Sequence, residues 1–340
     1  TLRGRSYFGQ SIQDLLERIR DRRFEAGSGS LEEKSMIPQY IQEVAGGFEL
    51  PRPLRVVVDC GNGAGSLLAV DLLEAIGAEV IPLYCESDGT FPNHHPDPTV
   101  DEYLADMMAL VREKEAEVGI AFDGDADRIG AVDENGSVVR GDLLLLLFGL
   151  DILKERGPGQ QLVFDVKCSQ VLPEVFREAG GEPVMWRTGH SHIKARMKES
   201  GAPLGGELSG HICFADKYIG IDDAPYAACR LVDLLARSER RLSEIVGSLP
   251  GYVSTPEIRI EVDEERKWEV VARALDHFRQ SHEVIDVDGA RVLFGDGWGL
   301  LRTSNTQPVI VARFEARTEE RLEEIRGTMT AWLETQGIHV

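Results

Sequence analysis

The chain has 340 residues, 42% of them hydrophobic and 28% charged, with a formal net charge of −21. That length exceeds what one compact core organises and predicts two or three domains. So large an acidic excess disfavours nucleic acid and anionic membrane surfaces as partners, and the longest apolar run, Leu143 to Leu150, is too short to cross a bilayer. The five cysteines, Cys60, Cys85, Cys168, Cys213 and Cys229, are odd in number and scattered. They read as reduced core residues of a cytoplasmic protein, not as a disulfide or zinc framework.

The chain opens with Thr1 and no signal-peptide pattern. Ser11 to Ile19 carries apolar residues at helical spacing with Ser11 placed as N-cap, a single amphipathic helix expected to pack on something upstream. Glu25 to Gly29 reads as a linker. The pattern then alternates: strand Arg55 to Asp59, a Gly-rich turn at Cys60 to Gly65, helix Leu67 to Ile76 and strand Val80 to Tyr84, which predicts a mostly parallel sheet. The Gly-rich turn could cradle a phosphate at a helix N-terminus, but it has neither a full dinucleotide fingerprint nor a P-loop lysine and reads first as a tight strand-to-helix turn. Three prolines between Phe91 and Pro98 exclude regular structure there, and His94 and His95 read as loop residues. Helix Tyr103 to Glu115 leads into a buried strand, Val118 to Phe122.

That strand runs into Asp123, Asp125 and Asp127 at alternate positions, followed by Arg128. Three carboxylates held this close need a compensating cation, and Gly124 and Ala126 leave room for them to converge. Mg²⁺ fits such a donor set, and a loop at the end of a strand is where open α/β sheets bind ligands. An EF-hand also matches the spacing of Asp123, Asp125, Asp127 and Glu134, but its sixth position requires glycine and here holds Arg128.

A second α/β unit begins at Asp142, with a buried helix Leu143 to Leu153 and a strand Gln161 to Val166. The strand ends at Lys167, a candidate phosphate contact. Helix Val171 to Glu178 follows, and Glu182 to Trp186 leads to Arg187-Thr-Gly-His-Ser-His-Ile-Lys194, a basic loop suited to anions and containing His190. In Gly205-Gly-Glu-Leu-Ser-Gly-His211, an extended chain would point Glu207 and Ser209 the same way, as partners for vicinal sugar hydroxyls, with His211 a candidate proton carrier. Helix Ala224 to Leu235 closes the unit. From Tyr252 the pattern changes to strands Glu257 to Val262, Val284 to Asp288, Arg291 to Phe294 and Val309 to Phe314, with helices Trp268 to Phe278 and Thr318 to Leu333. This is a small α+β domain with an antiparallel sheet. Its loop Arg302-Thr-Ser-Asn-Thr-Gln-Pro308 offers a guanidinium, hydroxyls and backbone N–H groups to a phosphate.

Four loops, Asp123–Arg128, Arg187–Lys194, Gly206–His211 and Arg302–Pro308, together with Asp59-Cys-Gly-Asn-Gly, Phe91-Pro-Asn-His-His-Pro-Asp-Pro98 and Phe164-Asp-Val-Lys-Cys168, resemble the α-D-phosphohexomutase superfamily. The wording is closest to bacterial phosphomannomutase/phosphoglucomutase. The resemblance implies a multidomain α/β enzyme that interconverts hexose 1- and 6-phosphates. A phosphoserine would donate to the sugar, with hexose 1,6-bisphosphate as intermediate and activator. It implies Mg²⁺ on Asp123, Asp125 and Asp127, with Arg128 beside the phosphoserine. Glu207 and Ser209 would hold the sugar, Arg302, Ser304, Asn305 and Thr306 the non-reacting phosphate, and Lys167, His190 and His211 would line the site. The expected domains are 36–138, 139–250 and 251–340, with 1–35 the end of a first domain otherwise missing.

Two departures are visible. The family's phosphoserine lies in a Ser-His-Asn-Pro loop that does not occur in these residues, which predicts no turnover from this chain alone. Ala126 stands where many members have glycine, an exchange expected to be harmless. The alternatives are a phosphoglucosamine mutase, against which Ser304-Asn305-Thr306 speaks because that group usually reads Ser-Gly-Thr-Glu-Pro, and a phosphosugar-binding protein without the serine. Nothing signals oligomerisation, and a monomer is expected.

Overall fold

In the computed structural model, which describes residues 9–304 and 307–339, the alternating elements of the sequence build three sheets. Helix α1 (Gln10–Arg20) precedes them and buries none of its residues, leaving Ile12, Leu15, Leu16 and Ile19 exposed. It starts before Ser11: Gly9, at φ 59, makes the turn into the helix, so Ser11 lies inside it and cannot cap it. Residues 23–36 are exposed and contain neither helix nor strand before α2 (Ile37–Ala45).

The first sheet is formed by β1 (Arg55–Asp59), β2 (Glu79–Leu83), β3 (Val118–Phe122), β4 (Ile129–Asp133) and β5 (Val138–Val139), with α3 (Ala69–Ala75) and α4 (Ala105–Glu113) in its connections. Its order is β2-β1-β3-β4-β5. Pairing is parallel through β2, β1 and β3, then antiparallel through β4 and β5. The long apolar helix α5 (Gly141–Arg156) opens the second unit, followed by β6 (Gln161–Asp165), α6 (Val171–Glu178), β7 (Glu182–Trp186), α7 (His190–Ser200), β8 (Leu204–Gly206) and β9 (Ile212–Phe214). The order β7-β6-β8-β9 repeats β2-β1-β3-β4 strand for strand, with the same parallel and antiparallel pairings. Helices α8 (Ala224–Arg237) and α9 (Leu242–Gly247) complete the unit.

The two units share one core. Leu144, Leu145 and Leu146 of α5 are fully buried, in one cluster with Val56, Val58 and Ile120 of the first sheet and Leu162, Phe164 and Phe214 of the second. Each such leucine contributes about 2 kcal/mol of apolar burial. A helix enclosed by two sheets has no solvent face, which is why its sequence shows no amphipathic stripe.

The C-terminal unit contains β10 (Val253–Ser254), β11 (Ile258–Glu261), α10 (Glu264–Phe278), β12 (Glu283–Ile285), β13 (Ala290–Leu293), β14 (Gly297–Thr303), β15 (Val309–Ala316) and α11 (Glu319–Thr335). Its antiparallel sheet runs β10-β15-β14-β13-β12, with β11 also on β15. The sheet and α10 and α11 enclose a separate core around Val270, Phe278, Ile310, Phe314 and Met329. Trp298 and Leu300 instead pack with Val166, which follows β6. Buried Arg291 lies flat on Trp298, 3.7 Å from the ring centre, and donates to the carbonyls of Val166 (2.6 Å) and Cys168 (2.9 Å). Arg313 donates to the carbonyl of Lys167 between them. Glu315 accepts from Trp298 Nε1 at 2.7 Å and from the Gln170 N–H at 2.8 Å. The C-terminal sheet therefore grips the Lys167 loop by its backbone, where loose carbonyls would otherwise be buried without partners.

Candidate active site

β3 is buried along its whole length, and the chain leaves it at Asp123. That carboxylate is 3% exposed, and its Oδ1 accepts the N–H groups of Asp127 and Arg128, each at 3.0 Å. These bonds curl the β3–β4 turn until Asp123, Asp125 and Asp127 present oxygens within 4.8 Å of one another. Burial, reinforced by the charges of Asp127 and Asp125, pushes the Asp123 carboxyl up to about 6 against its backbone hydrogen bonds and Arg128. Three crowded oxygens whose ionisation is already opposed fit a hard divalent cation, which would supply the missing positive charge. Ala126 sits in this turn at φ 61. The left-handed region costs an alanine about 1 kcal/mol, so the exchange from glycine carries a strain that the sequence reading did not anticipate.

Arg128 places Nε 3.1 Å from Asp123 Oδ2. Its backbone forms an antiparallel bridge with His211, and the Ile129 N–H donates to the Gly210 carbonyl at 3.1 Å. The β3–β4 turn is thereby joined to the β8–β9 turn. Glu207 to His211 are not extended, as the sequence suggested. β8 ends at Gly206, and Gly210, at φ 94, lets the chain fold back so that the Glu207 N–H reaches the His211 carbonyl at 2.9 Å. The turn still gathers the expected side chains. His211 has Nε2 3.1 Å from Asp127 Oδ1 and Nδ1 2.9 Å from Glu207 Oε2, with Ser209 Oγ at 3.0 Å. Burial lowers the His211 pKa, but the two carboxylates override it and push it up to about 9. Glu207, 3% exposed, also accepts the Gly189 N–H at 2.5 Å.

His190 begins α7 and stacks on His211, ring centres 5.1 Å apart. Its Nδ1 is hydrogen-bonded to Asp222, whose other oxygen accepts from Lys194 at 2.7 Å. Burial opposes the Asp222 charge, yet these two partners hold it well below the usual carboxylate range. Lys167 is buried, 2.6 Å from Glu257 Oε1 and 3.8 Å from Asp165 Oδ2. Burial disfavours its charge, and the carboxylates reverse that and raise its pKa.

A cleft of about 550 Å³ brings Arg128, Lys167 and Ser209 together with Glu257, Arg259 and Arg313 of the C-terminal unit. Arg302 is not among the described residues lining it. Arg302 Nε donates to Asp288 Oδ2 at 2.9 Å, and the same oxygen accepts the Thr188 N–H at 3.1 Å. Thr188, Asp288 and Thr303 border a second hollow of about 350 Å³. Ser304 carries its loop on a buried Lys267, which donates to the carbonyls of Ser304 and Gln307 at 2.7 and 2.9 Å. Asn305 and Thr306 lie outside the described residues. Another hollow, about 810 Å³ and bordered by Arg52, Arg112 and Arg240, contains none of the expected site residues. Asp222, Glu257, Asp288 and Lys267 were not anticipated as site residues, since each reaches the site from a segment with no motif of its own.

A sheet order repeated in two units, a carboxylate turn bridged to a Glu/His turn and an antiparallel C-terminal unit define the class of a phosphohexose mutase. The chain belongs to the phosphoglucomutase/phosphomannomutase family: residues 38–136 match its alpha/beta/alpha domain II, residues 140–252 its alpha/beta/alpha domain III and residues 257–331 its C-terminal domain. It is 46% identical over 325 residues to a phosphomannomutase/phosphoglucomutase of Pseudomonas aeruginosa, covering 95% of this chain and 70% of that one. It is 42% identical over 341 residues to a phosphoglucomutase of Neisseria meningitidis, covering 98% and 73%. A probable phosphoglucosamine mutase of Methanopyrus kandleri aligns over a shorter 274 residues at 41%, covering 80% and 60%. The crystal structure of a phosphoglucomutase/phosphomannomutase family protein from Burkholderia thailandensis superposes with a TM-score of 0.90 at 44% identity, over 98% of this chain and 72% of that one. Among the described residues, no helix is long and apolar enough to cross a membrane.

Proposed function

We propose that the protein interconverts the 1- and 6-phosphates of glucose and mannose through a hexose 1,6-bisphosphate, with residues 36–138, 139–250 and 251–340 as its domains. The observation that carries this reading is the Arg128–His211 bridge, which sets the carboxylate turn, a doubly held imidazole and Glu207 in one site. Mg²⁺, held by Asp123, Asp125 and Asp127, would offset charge on a transferring phosphoryl group. Arg128 binds the same phosphoryl oxygens. Glu207 and Ser209 bind the sugar's 3- and 4-hydroxyls, a vicinal pair that presents itself alike when the sugar turns end for end. Glucose and mannose differ at the 2-hydroxyl, outside that pair, so both are accepted. His211, held protonated between two carboxylates, is the proton carrier of the site, and His190 stands beside it as second carrier. Lys167 lines the site, and Arg302 and Ser304, with Asn305 and Thr306, hold the phosphate that does not react. Asp288 occupies only Nε of Arg302, and a guanidinium has four further N–H donors for a phosphate. The phosphoryl donor is a phosphoserine of the family's Ser-His-Asn-Pro type. Free cysteines at all five positions suit a cytoplasmic setting.

Calorimetric titration with glucose 1-phosphate and mannose 1-phosphate tests the reading. Both sugars bind, and Glu207→Gln and Arg302→Ala each weaken both by about tenfold, the loss of one charge-assisted contact. Failure of either sugar to bind, or unchanged affinity in both variants, refutes it.

A further inference from the structure

We propose that Asp127, His190, His211 and Asp222 form a second cation site, selective for a transition ion such as Zn²⁺ and distinct from the Asp123–Asp125–Asp127 triad. One donor atom from each of the four lies within 4.8 Å of the others, and all four residues are half-buried and reachable from solvent. A tetrahedral zinc with bonds of about 2.0–2.1 Å holds its ligands roughly 3.4 Å apart, so the most distant donors close by at most about 1.4 Å while the His190–Asp222 and His211–Asp127 pairs spread slightly. Two imidazoles and two carboxylates are a zinc donor set, whereas Mg²⁺ requires oxygens in octahedral array.

The surroundings support the assignment. Glu207 holds His211 Nδ1 at 2.9 Å and so commits Nε2 to the cluster, the carboxylate–histidine arrangement that orients metal-bound imidazoles. His190 Nδ1 already meets Asp222 Oδ2, and His211 Nε2 already meets Asp127 Oδ1 at 3.1 Å. Lys194 is the opposing feature. It sits on Asp222 Oδ1 at 2.7 Å, leaving Oδ2 to the ion, but it is also 3.4 Å from His190 Nδ1 and must turn aside on its flexible stem. Once the ion replaces the proton on His211, the carboxylates of Asp127, Asp222 and Glu207 outnumber Lys194 and Arg128, so the local balance accommodates a cation. Asp127 has two oxygens and can bridge both sites, so zinc and Mg²⁺ bind together. Zinc on His211 displaces the Nε2 proton that the proposed proton carrier needs, making it an inhibitor. This consequence, unlike the site itself, rests on the function proposed above.

The full chain is titrated with Zn²⁺ against a chromophoric chelator, with Mg²⁺ in large excess. One Zn²⁺ binds per chain; His190→Ala and Asp222→Asn each weaken it by at least about tenfold, while Asp125→Asn leaves it unchanged. Co²⁺ in place of Zn²⁺ gives a tetrahedral absorption spectrum without a thiolate band, lost in His190→Ala, which excludes the cysteines and does not depend on the fold of Asp222→Asn. Absence of a tight ion overturns the proposal, as does loss in Asp125→Asn with retention in the other two variants. If zinc binds as stated and turnover of the intact protein persists, the site stands and the role assigned to His211 fails.

Discussion

Gly210→Ala probes the junction between the two turns. Gly210 has φ 94, and a Cβ built on it would meet the backbone oxygen of Ile129 at 2.3 Å. An alanine held there costs about 1–2 kcal/mol for its backbone conformation. Ordinary contact needs roughly 1 Å more room, and a carbonyl cannot yield it as a flexible side chain would. The turn must shift, stretching the Ile129 N–H bond to Gly210, a bond contributing about 1 kcal/mol. Stability should fall by about 2–3 kcal/mol. Because His211 and Glu207 ride on the same turn, a displacement of about 1 Å should lower kcat by roughly 100-fold. Gly201→Ala is the control: φ is 72 but nothing lies within 4 Å of the added carbon. It should cost about 1 kcal/mol and leave kcat unchanged. Urea unfolding and a dehydrogenase-coupled assay of glucose 6-phosphate formation by the intact protein measure both. A Gly210→Ala enzyme with kcat within threefold of its parent would refute the view that the bridge positions the site.

Asp125→Ala should abolish Mg²⁺ dependence together with most turnover of the intact protein; retained Mg²⁺-dependent activity would exclude the triad as the ion's seat. Ala126→Gly should raise stability by about 0.5 kcal/mol, strain relief slightly exceeding the added chain entropy, read as a higher urea midpoint. Arg291→Met should detach the C-terminal unit's grip on the Lys167 loop, raising KM for both sugars more than it lowers kcat; equal effects on the two constants would assign Arg291 to stability alone. His94 Nε2 lies 3.1 Å from buried Asp59, and that bond raises its pKa against the effect of burial. The stabilisation is full below the unfolded value of about 6.5 and is lost as pH rises through the folded one. His94→Gln should therefore destabilise more below that value than well above it, as urea unfolding across pH will show.

Strands β1 and β3 and helix α6 were legible to the residue because glycine, proline or charge punctuates their ends. β4 and β14 were not. Both are buried along their length, so neither shows the alternation of a strand with one wet face, and Gly297 and Gly299 weaken the strand signal of β14 further. The Asp123–Asp127 cluster was visible because all its donors lie within five residues. Asp222 and Asp288 reach their partners across 32 and 100 residues, and only the fold brings them in. The same holds for the turn at Glu207, where a tertiary rung to Ile129 overrides any local preference for extension.

That rung joins matching seats. Asp123 and Glu207 each follow the third strand of their sheet, and Arg128 and His211 each precede the fourth. An antiparallel bridge between matching residues relates the two hairpins locally by a half-turn. One loop geometry thus occurs twice, and under the proposed function it would grip an ion on one side and a polyol on the other. Efforts to re-engineer sugar preference through residues 207–211 should accordingly alter ion affinity as well, because neither hairpin can be reshaped without dragging its twin.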